Sequence, residues 1–347
     1  MPISRSLLNP IIRPQDVSPS RPDFEVIAAF NAGVARLGEE VVLLLRVAER
    51  PADQGADLCR VPVFDAAAGQ LGIREFSRCD SRNDFSDPRT IGSPQGMHLT
   101  SMSHLRAARS RDGLHFQIDK QPALCPETAY EAFGIEDPRI TQIGAEYYIN
   151  YVGVSALGIV TALARTRDFQ TYERLGVIFP PDNKDVEIFP ERIGGLYYAL
   201  HRPSTSAFGK PEIWIAESPD LICWGNHRLL AGQREGGWEG GRIGGSAVPF
   251  RVPGGWLEVY HGADKSNRYC LGALLLDEHE PWKVLARSAA PILEPAADYE
   301  RQGFFGNVVF SCGALAEDGL LKIYYGASDT ITAYAEIPLA EVLAGLA

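Results

Sequence analysis

The sequence predicts an all-β chain arranged as a propeller of about five or six blades. Three observations carry that reading. Glycines and prolines, 34 and 24 of them, run along the whole length and punctuate short stretches rich in aromatic and β-branched residues. No long amphipathic helix competes with these stretches, and a short helix is expected only near Leu339 to Leu346. A weak repeat adds a period. Ala108 to Asp112, Ala164 to Asp168 and Ala216 to Asp220 share the form alanine, any residue, hydroxyl, any residue, aspartate. The aspartates are 56 and then 52 residues apart, and an aromatic residue, Phe116, Tyr172 or Trp224, stands four positions after each. A unit recurring at that spacing is the mark of a propeller blade, although hydroxyl-x-Asp is also common in ordinary turns.

Taken in order, the predicted strands include Val41 to Leu45, Tyr147 to Tyr151, Tyr197 to Leu200, Trp256 to Tyr260 and Leu321 to Tyr325. All but the first follow a turn: Gly144-Ala145, Gly194-Gly195, Gly254-Gly255 and Asp318-Gly319. The polar segment from about Pro51 to Gln95 breaks the pattern and reads as an irregular insertion in an early blade. No linker or composition shift divides the chain, so a single domain over residues 1–347 is expected.

Composition narrows the function classes. Hydrophobic residues at 45% and charged residues at 22% are globular values. A net charge of −11 argues against general nucleic-acid binding and against an anionic membrane surface, so any anionic ligand must be held by a local basic cluster. Cys59, Cys79, Cys125, Cys223, Cys270 and Cys312 have neither zinc-site nor disulfide spacing, and are expected to be buried free thiols of a reducing compartment. The N-terminus has no apolar run of signal-peptide length, which points to a cytoplasmic location.

Chemistry concentrates in Gly134-Ile135-Glu136-Asp137-Pro138-Arg139-Ile140. Pro138 moves Asp137 out of the helical region onto a stiff extended or turn backbone. On an extended strand Glu136 and Asp137 point to opposite sides, and Arg139 shares the side of Asp137. So close an arginine favours the ionised carboxylate, and a proton donor at Asp137 therefore requires Arg139 to turn away. A surface loop with a local ion pair is the competing structural reading. Asn31 follows an apolar run, and Arg46 ends a strand where it is either paired in the core or turned toward a ligand. Lys184, Arg202, Arg242 and His261 each lie at a strand end or tight turn. They form an anion pocket if the fold gathers them, and are unrelated surface charges if it does not. Trp238, Tyr260, Tyr269 and Tyr325 are candidate sugar-stacking residues, and Asp329 follows the last predicted strand.

Several of these motifs together, Gly134 to Arg139, Asn183-Lys184-Asp185 with Phe189-Pro190-Glu191, His201-Arg202-Pro203, Tyr260-His261-Gly262, Leu274 to Asp277 and Tyr324 to Ala327, resemble glycoside hydrolase family 130. His98 to Arg106 and Gly303 to Phe310 are most similar to members acting on β-1,2-linked mannose. The resemblance implies a five-bladed β-propeller and an inverting β-mannoside phosphorylase. Asp137 would be the general acid, working through a hydroxyl of the bound mannose. Asn31, Arg46 and Asp329 would hold that mannose, and Lys184, Arg202, Arg242 and His261 would bind phosphate with Tyr269 nearby. Inorganic phosphate is then the co-substrate, with no metal or organic cofactor, and oligomeric state is left open. Glu187 stands where a small or apolar residue is expected, and Ser246-Ala247-Val248-Pro249 replaces a more proline-rich turn. An inverting β-mannosidase, with Glu187 or another acid as base, and a non-catalytic mannoside-binding propeller are the alternatives.

Overall fold

In a computed structural model that describes residues 3–204 and 208–346, five antiparallel sheets form the five blades of a propeller. Blade I comprises Phe24–Leu37, Glu40–Pro51, Met102–Ser110 and Gln117–Ile118. Blade II runs through Gly134–Ile143, Glu146–Ser155, Gly158–Thr166 and Glu173–Phe179. Blade III consists of Asn183–Ile188, Tyr197–Pro203, Ile213–Ser218 and Gly225–Ala231. Blade IV has Arg242–Gly245, Gly255–Ala263, Tyr269–Leu276 and Val284–Arg287, with Phe250–Val252 as an added strand. Blade V contains Val309–Glu317, Leu320–Ala327 and Ile331–Pro338, and its outer strand is the N-terminal Ser4–Arg5.

The repeat has a local cause. Each copy ends the third strand of a blade. The hydroxyls of Ser110, Thr166 and Ser218 accept the backbone N–H three residues on, at 2.9, 3.0 and 2.9 Å. Asp112, Asp168 and Asp220 each accept two further backbone N–H groups of the turn. Asp277 repeats the aspartate part in blade IV, accepting from His279 and Glu280. The hydroxyl is missing there, so the fourth copy does not show in the sequence pattern. These residues shape turns and stay out of the chemistry.

Packing closes the ring. Each junction between neighbouring blades has its own buried apolar cluster, one for each of the five. Leu44 and Ala107 face Ile140 and Ile149 between blades I and II. Leu163 and Phe179 face Ile188 and Ala199 between II and III. Leu200 and Ile215 meet Trp256 and Leu274 between III and IV. Leu257 and Leu271 meet Ile323 and Ile337 between IV and V. Tyr324 and Tyr334 meet Leu43 and Leu45 where V returns to I. A blade is thus covered on both faces by its neighbours, which is why its strands read as nearly unbroken apolar runs.

The segment read as irregular holds two hairpins, Leu58–Asp65 with Gln70–Ser77 and Thr90–Ser93 with Gly96–Leu99, between the second and third strands of blade I. The expectation of six buried thiols is corrected: all six are free, but Cys79, Cys125 and Cys223 are exposed. They sit in the insertion and in blade-edge loops, where no neighbouring blade covers them. A C-terminal helix spans Leu339–Ala344, and among the described residues no helix is long and apolar enough to cross a membrane.

The N-terminal strand joins the two ends of the chain, and Asn9 clasps it. Its side chain donates to Tyr334 O at 2.8 Å and accepts from Tyr334 N at 2.8 Å. Asn9→Ala is expected to lower stability by about 1–3 kcal/mol through the lost pair. An unchanged urea denaturation midpoint would contradict that closure.

Candidate functional site

The first strand of each blade lines the central channel, and four of these strands carry a bulge, three of them at a residue of the cavity. The register slips between Phe30 and Gly33, between Glu136 and Arg139, and between Lys184 and Glu187. Asn31, Asp137 and Asp185 take positive φ at these bulges, 46°, 47° and 53°. Asn and Asp tolerate that conformation better than other side chains bearing a Cβ, which accounts for the residue types found there. A bulge turns a side chain that would pack against the next blade into one that faces the channel. The backbone at Asp137, left open between extended and turn, is a bulge, and the opposite facing that a fully extended stretch would give is corrected. Glu136 and Asp137 do not diverge; both reach Arg46.

Around Arg46 lies an acidic half-site. Arg46 Nη2 is 2.7 Å from Glu136 Oε1, and Nη1 is 3.0 Å from Asp137 Oδ1. Asn31 Nδ2 donates to the same Asp137 oxygen at 2.9 Å. Arg46 is thus paired and at the same time lines the cavity, so the two sequence readings of this residue meet. Burial pushes the Asp137 carboxyl up. The charges of Arg46 and Arg139, the Asn31 hydrogen bond and the Lys184 charge together outweigh that and hold it below the usual carboxylate range. Asp329 faces the same cavity with no hydrogen bond to its carboxyl among the described residues. Burial and the charges of Asp137 and Glu136 raise its pKa to about 6 against the pull of Arg46 and Arg89.

Arg139 turns away from the Asp137 carboxylate. Its Nη1 donates to the backbone oxygen of Asp137 at 3.0 Å, and its Nη2 donates to Asp185 Oδ1 at 3.3 Å and Gly245 O at 3.2 Å. Asp185 in turn accepts from Arg202 Nε at 2.6 Å and lies 3.6 Å from His261 Nε2. This close group exists because position 244 is glycine: a Cβ there would lie 2.6 Å from both Asp185 Oδ2 and His261 Cε1. His261 is held neutral, because burial, with Arg202, Arg139 and Lys184, lowers its pKa to about 3. Nδ1 carries the proton, since it lies 3.1 Å from the carbonyl oxygen of Gly245, which can only accept. Lys184 has no hydrogen-bond or ion-pair partner among the described residues, and burial beside Arg202 lowers its pKa.

Asn31, Arg46, Asp137, Lys184, Arg202, His261, Tyr269 and Asp329 line one cavity of about 240 Å³. Arg242 is not in its wall: it donates to Tyr269 Oη at 2.9 Å and to Asn267 at 3.0 Å, and so supports Tyr269 from behind. Of the aromatic candidates only Tyr269 faces the cavity. Trp238 stacks on Tyr260, which bonds Glu239, and Tyr325 bonds Glu300 in the core. Sequence reasoning missed three lining groups. Asp185 was passed over beside Lys184, and Glu136 beside Asp137. Arg89 comes from the insertion and stacks 3.9 Å over the Phe305 ring. The shared bulge was the available signal, an Asn or Asp within an otherwise apolar inner strand. Glu187 is fully buried outside the cavity, where burial and the Glu258 charge push its carboxyl well up, so it is not placed to act as a base on a bound sugar.

Known proteins resemble this chain along most of its length. The family model described as β-1,4-mannooligosaccharide phosphorylase, of glycoside hydrolase family 130, matches residues 97–346. A β-1,2-mannobiose phosphorylase of Listeria innocua serovar 6a is 50% identical over 347 residues, covering 99% of this chain and 98% of that protein. The solved structure of the Listeria innocua enzyme with β-1,2-mannobiose superimposes with a TM-score of 0.97 over 99% of both chains. A 1,2-β-oligomannan phosphorylase of Thermoanaerobacter sp. is 38% identical over 72% of this chain and 83% of its own length.

The proton on Asp329 has a measurable consequence. The folded chain holds it over a range in which the unfolded chain has released it, so its stabilisation is complete below about pH 4 and is lost as pH rises through about 6. Asp329→Asn is expected to flatten the fall in thermal midpoint across that range by on the order of a few degrees. Parallel curves for the two proteins would refute the placement of that proton.

Proposed function

The chain belongs to glycoside hydrolase family 130, and on that premise we propose that it phosphorolyses β-mannosides with inversion, releasing α-mannose 1-phosphate. β-1,2-Mannobiose or oligomannan is the substrate class, in keeping with two relatives that this chain resembles. The observation that carries the reading is the unpaired Lys184 ammonium beside Arg202, in the same cavity as Asp137. A half-buried cation with no partner among the described residues is a ready site for an anion, and inorganic phosphate is the anion this chemistry needs.

In this reading Asn31, Arg46 and Asp329 hold the mannose. Phosphate sits against Lys184, Arg202 and Tyr269, with His261 Nε2 free to accept from its hydroxyl, and Arg242 contributes through Tyr269. A phosphate oxygen attacks the anomeric carbon from the face opposite the leaving sugar. The glycosidic C–O bond breaks toward oxygen, which takes a proton from Asp137 through a mannose hydroxyl. Hydrogen phosphate brings one proton in and the released sugar carries one out, so Asp137 need only pass it on. Its low resting pKa fits a relay armed by the co-substrate. A phosphate dianion beside Lys184 offsets the positive field that holds Asp137 ionised, and so favours the protonated acid. No metal or organic cofactor takes part in any of these steps, and the six unpaired thiols support a cytoplasmic setting.

Asp137→Asn is expected to lower turnover about 100- to 10,000-fold while mannoside binding persists. Lys184→Ala is expected to raise the KM for phosphate about 10- to 100-fold with a smaller change in the KM for mannobiose. Sugar products from β-1,2-mannobiose, resolved with and without phosphate, check the reaction class. Undiminished release of free mannose without phosphate would overturn it.

A further inference from the structure

Behind the cation cluster lies a group that the reaction above does not use. Glu187, at the end of the blade III bulge, and Glu258, in the blade IV strand Gly255–Ala263, are both 0% exposed. Three of their four carboxyl oxygens, both of Glu187 and Oε2 of Glu258, have no hydrogen-bond partner among the described residues. The fourth, Glu258 Oε1, has only a 3.4 Å contact from Ser246 N. Glu187 lies flat against Gly245, where a Cβ would stand 1.6 Å from Glu187 Oε2, so it has no room to swing away. The cation beside it is Arg139, whose Nε is 3.7 Å from Glu187 Oε1 and whose Nη2 is already engaged with Asp185.

Two ionised carboxylates cannot share such a place. Unsolvated and nearly unbonded, each would be strongly disfavoured, and one partly neutralised guanidinium does not balance two charges. Protonation removes the conflict and supplies the donor that the orphan oxygens lack.

We infer that Glu187 and Glu258 form a buried carboxyl pair that shares protons and, by staying uncharged next to Arg139, preserves the positive field in which Lys184 and Arg202 hold phosphate. Both are positioning residues that act through Arg139 and touch no substrate. The groups facing the pair are Arg139 from blade II, Asp185 and Arg202 from blade III, and His261 beside Asp185 from blade IV. From blade V the neutral Cys312 thiol lies close to Arg139. Burial pushes both carboxyls up, and the Glu258 charge pushes Glu187 further, in the direction the pairing requires. Loss of a shared proton as pH rises adds a negative charge behind the phosphate and weakens its binding.

The consequence for phosphate rests on the phosphorylase reading, and the experiment separates the two. Infrared spectra of the whole protein at neutral pH are expected to show a buried protonated-carboxyl band that Glu187→Gln and Glu258→Gln each alter. Absence of that band in the parent overturns the pair itself. Calorimetric titration with inorganic phosphate is expected to give affinities for parent and Glu187→Gln that converge near about pH 6 and diverge toward about pH 9, where the parent loses about threefold more. Equal losses in parent and variant overturn the role of the pair. A parent that binds no phosphate at any pH overturns the phosphorylase reading, whatever the infrared band shows. Glu258→Gln provides the same comparison if Glu187→Gln fails to fold.

Discussion

One buried guanidinium ties the centre of the propeller together. Arg139 rises from blade II, bonds the backbone of its own bulge at Asp137, and reaches Asp185 of blade III and the carbonyls of Gly245 and Ser246 in blade IV. It lies 5.8 Å from the Phe310 ring of blade V. Sheets that pack only face to face leave a channel of inner-strand backbone, and its polar groups must find partners there. Arg139 supplies them for two blades at once and ties in a third through the Asp185 carboxylate. Because its guanidinium is spent on this task, the Asp137 carboxylate is left to Arg46 and Asn31, and Asp185 is left to orient Arg202. The acid and the cation cluster therefore take their relative positions from a residue that touches neither sugar nor phosphate in the proposed reaction.

The general architecture was legible because it rests on local rules. Strand runs bounded by Gly and Asp turns, and the hydroxyl-x-Asp capping repeat, depend on residues within a few positions of one another. The same repeat left the blade number open. It persists fully in blades I to III, keeps only Asp277 in blade IV, and so could not be counted to the end. Closure of the ring by Ser4–Arg5 and Asn9 joins residues more than 300 positions apart, and no local pattern announces it.

The site was legible to the extent that its residues break a pattern. Asn31, Arg46, Asp137 and Lys184 stood out as polar groups in or beside apolar strands, and the fold gathers them. What stayed hidden was the bulge. Its register slip reverses which faces Glu136, Asp137 and Arg139 occupy, so strict two-residue alternation misplaced them. Arg242 was hard to place for a different reason. A cation at a strand end next to a glycine-rich loop looks the same in sequence whether it faces the cavity or the back of Tyr269. Glu187 drew notice as an unexpected acid, but only the packing of Gly245 against it and the neighbouring Glu258 distinguish a buried proton store from a catalytic base.

The division of charge in the cavity bears on which nucleophile it suits. On one side Arg46 faces Glu136, Asp137 and Asp329, an excess of acid that favours hydroxyl groups and one held proton. On the other, Asp185 is saturated by Arg139 and Arg202, and Lys184 is left over. A water molecule there would find charges suited to stabilising an anion, while the nearby Asp185 carboxylate is already engaged by Arg139 and Arg202. An inverting hydrolase needs such a base, set back from the acid by roughly 6.5–9.5 Å. Phosphate needs none, since it arrives already charged and meets Lys184, which has no other partner among the described residues. Lys184, one of the groups that would bind it, adds to the Arg46 and Arg139 charges that hold Asp137 ionised. In the proposed reaction, then, acid and nucleophile are not independent parts: the co-substrate sets the protonation state of the group that completes its own attack.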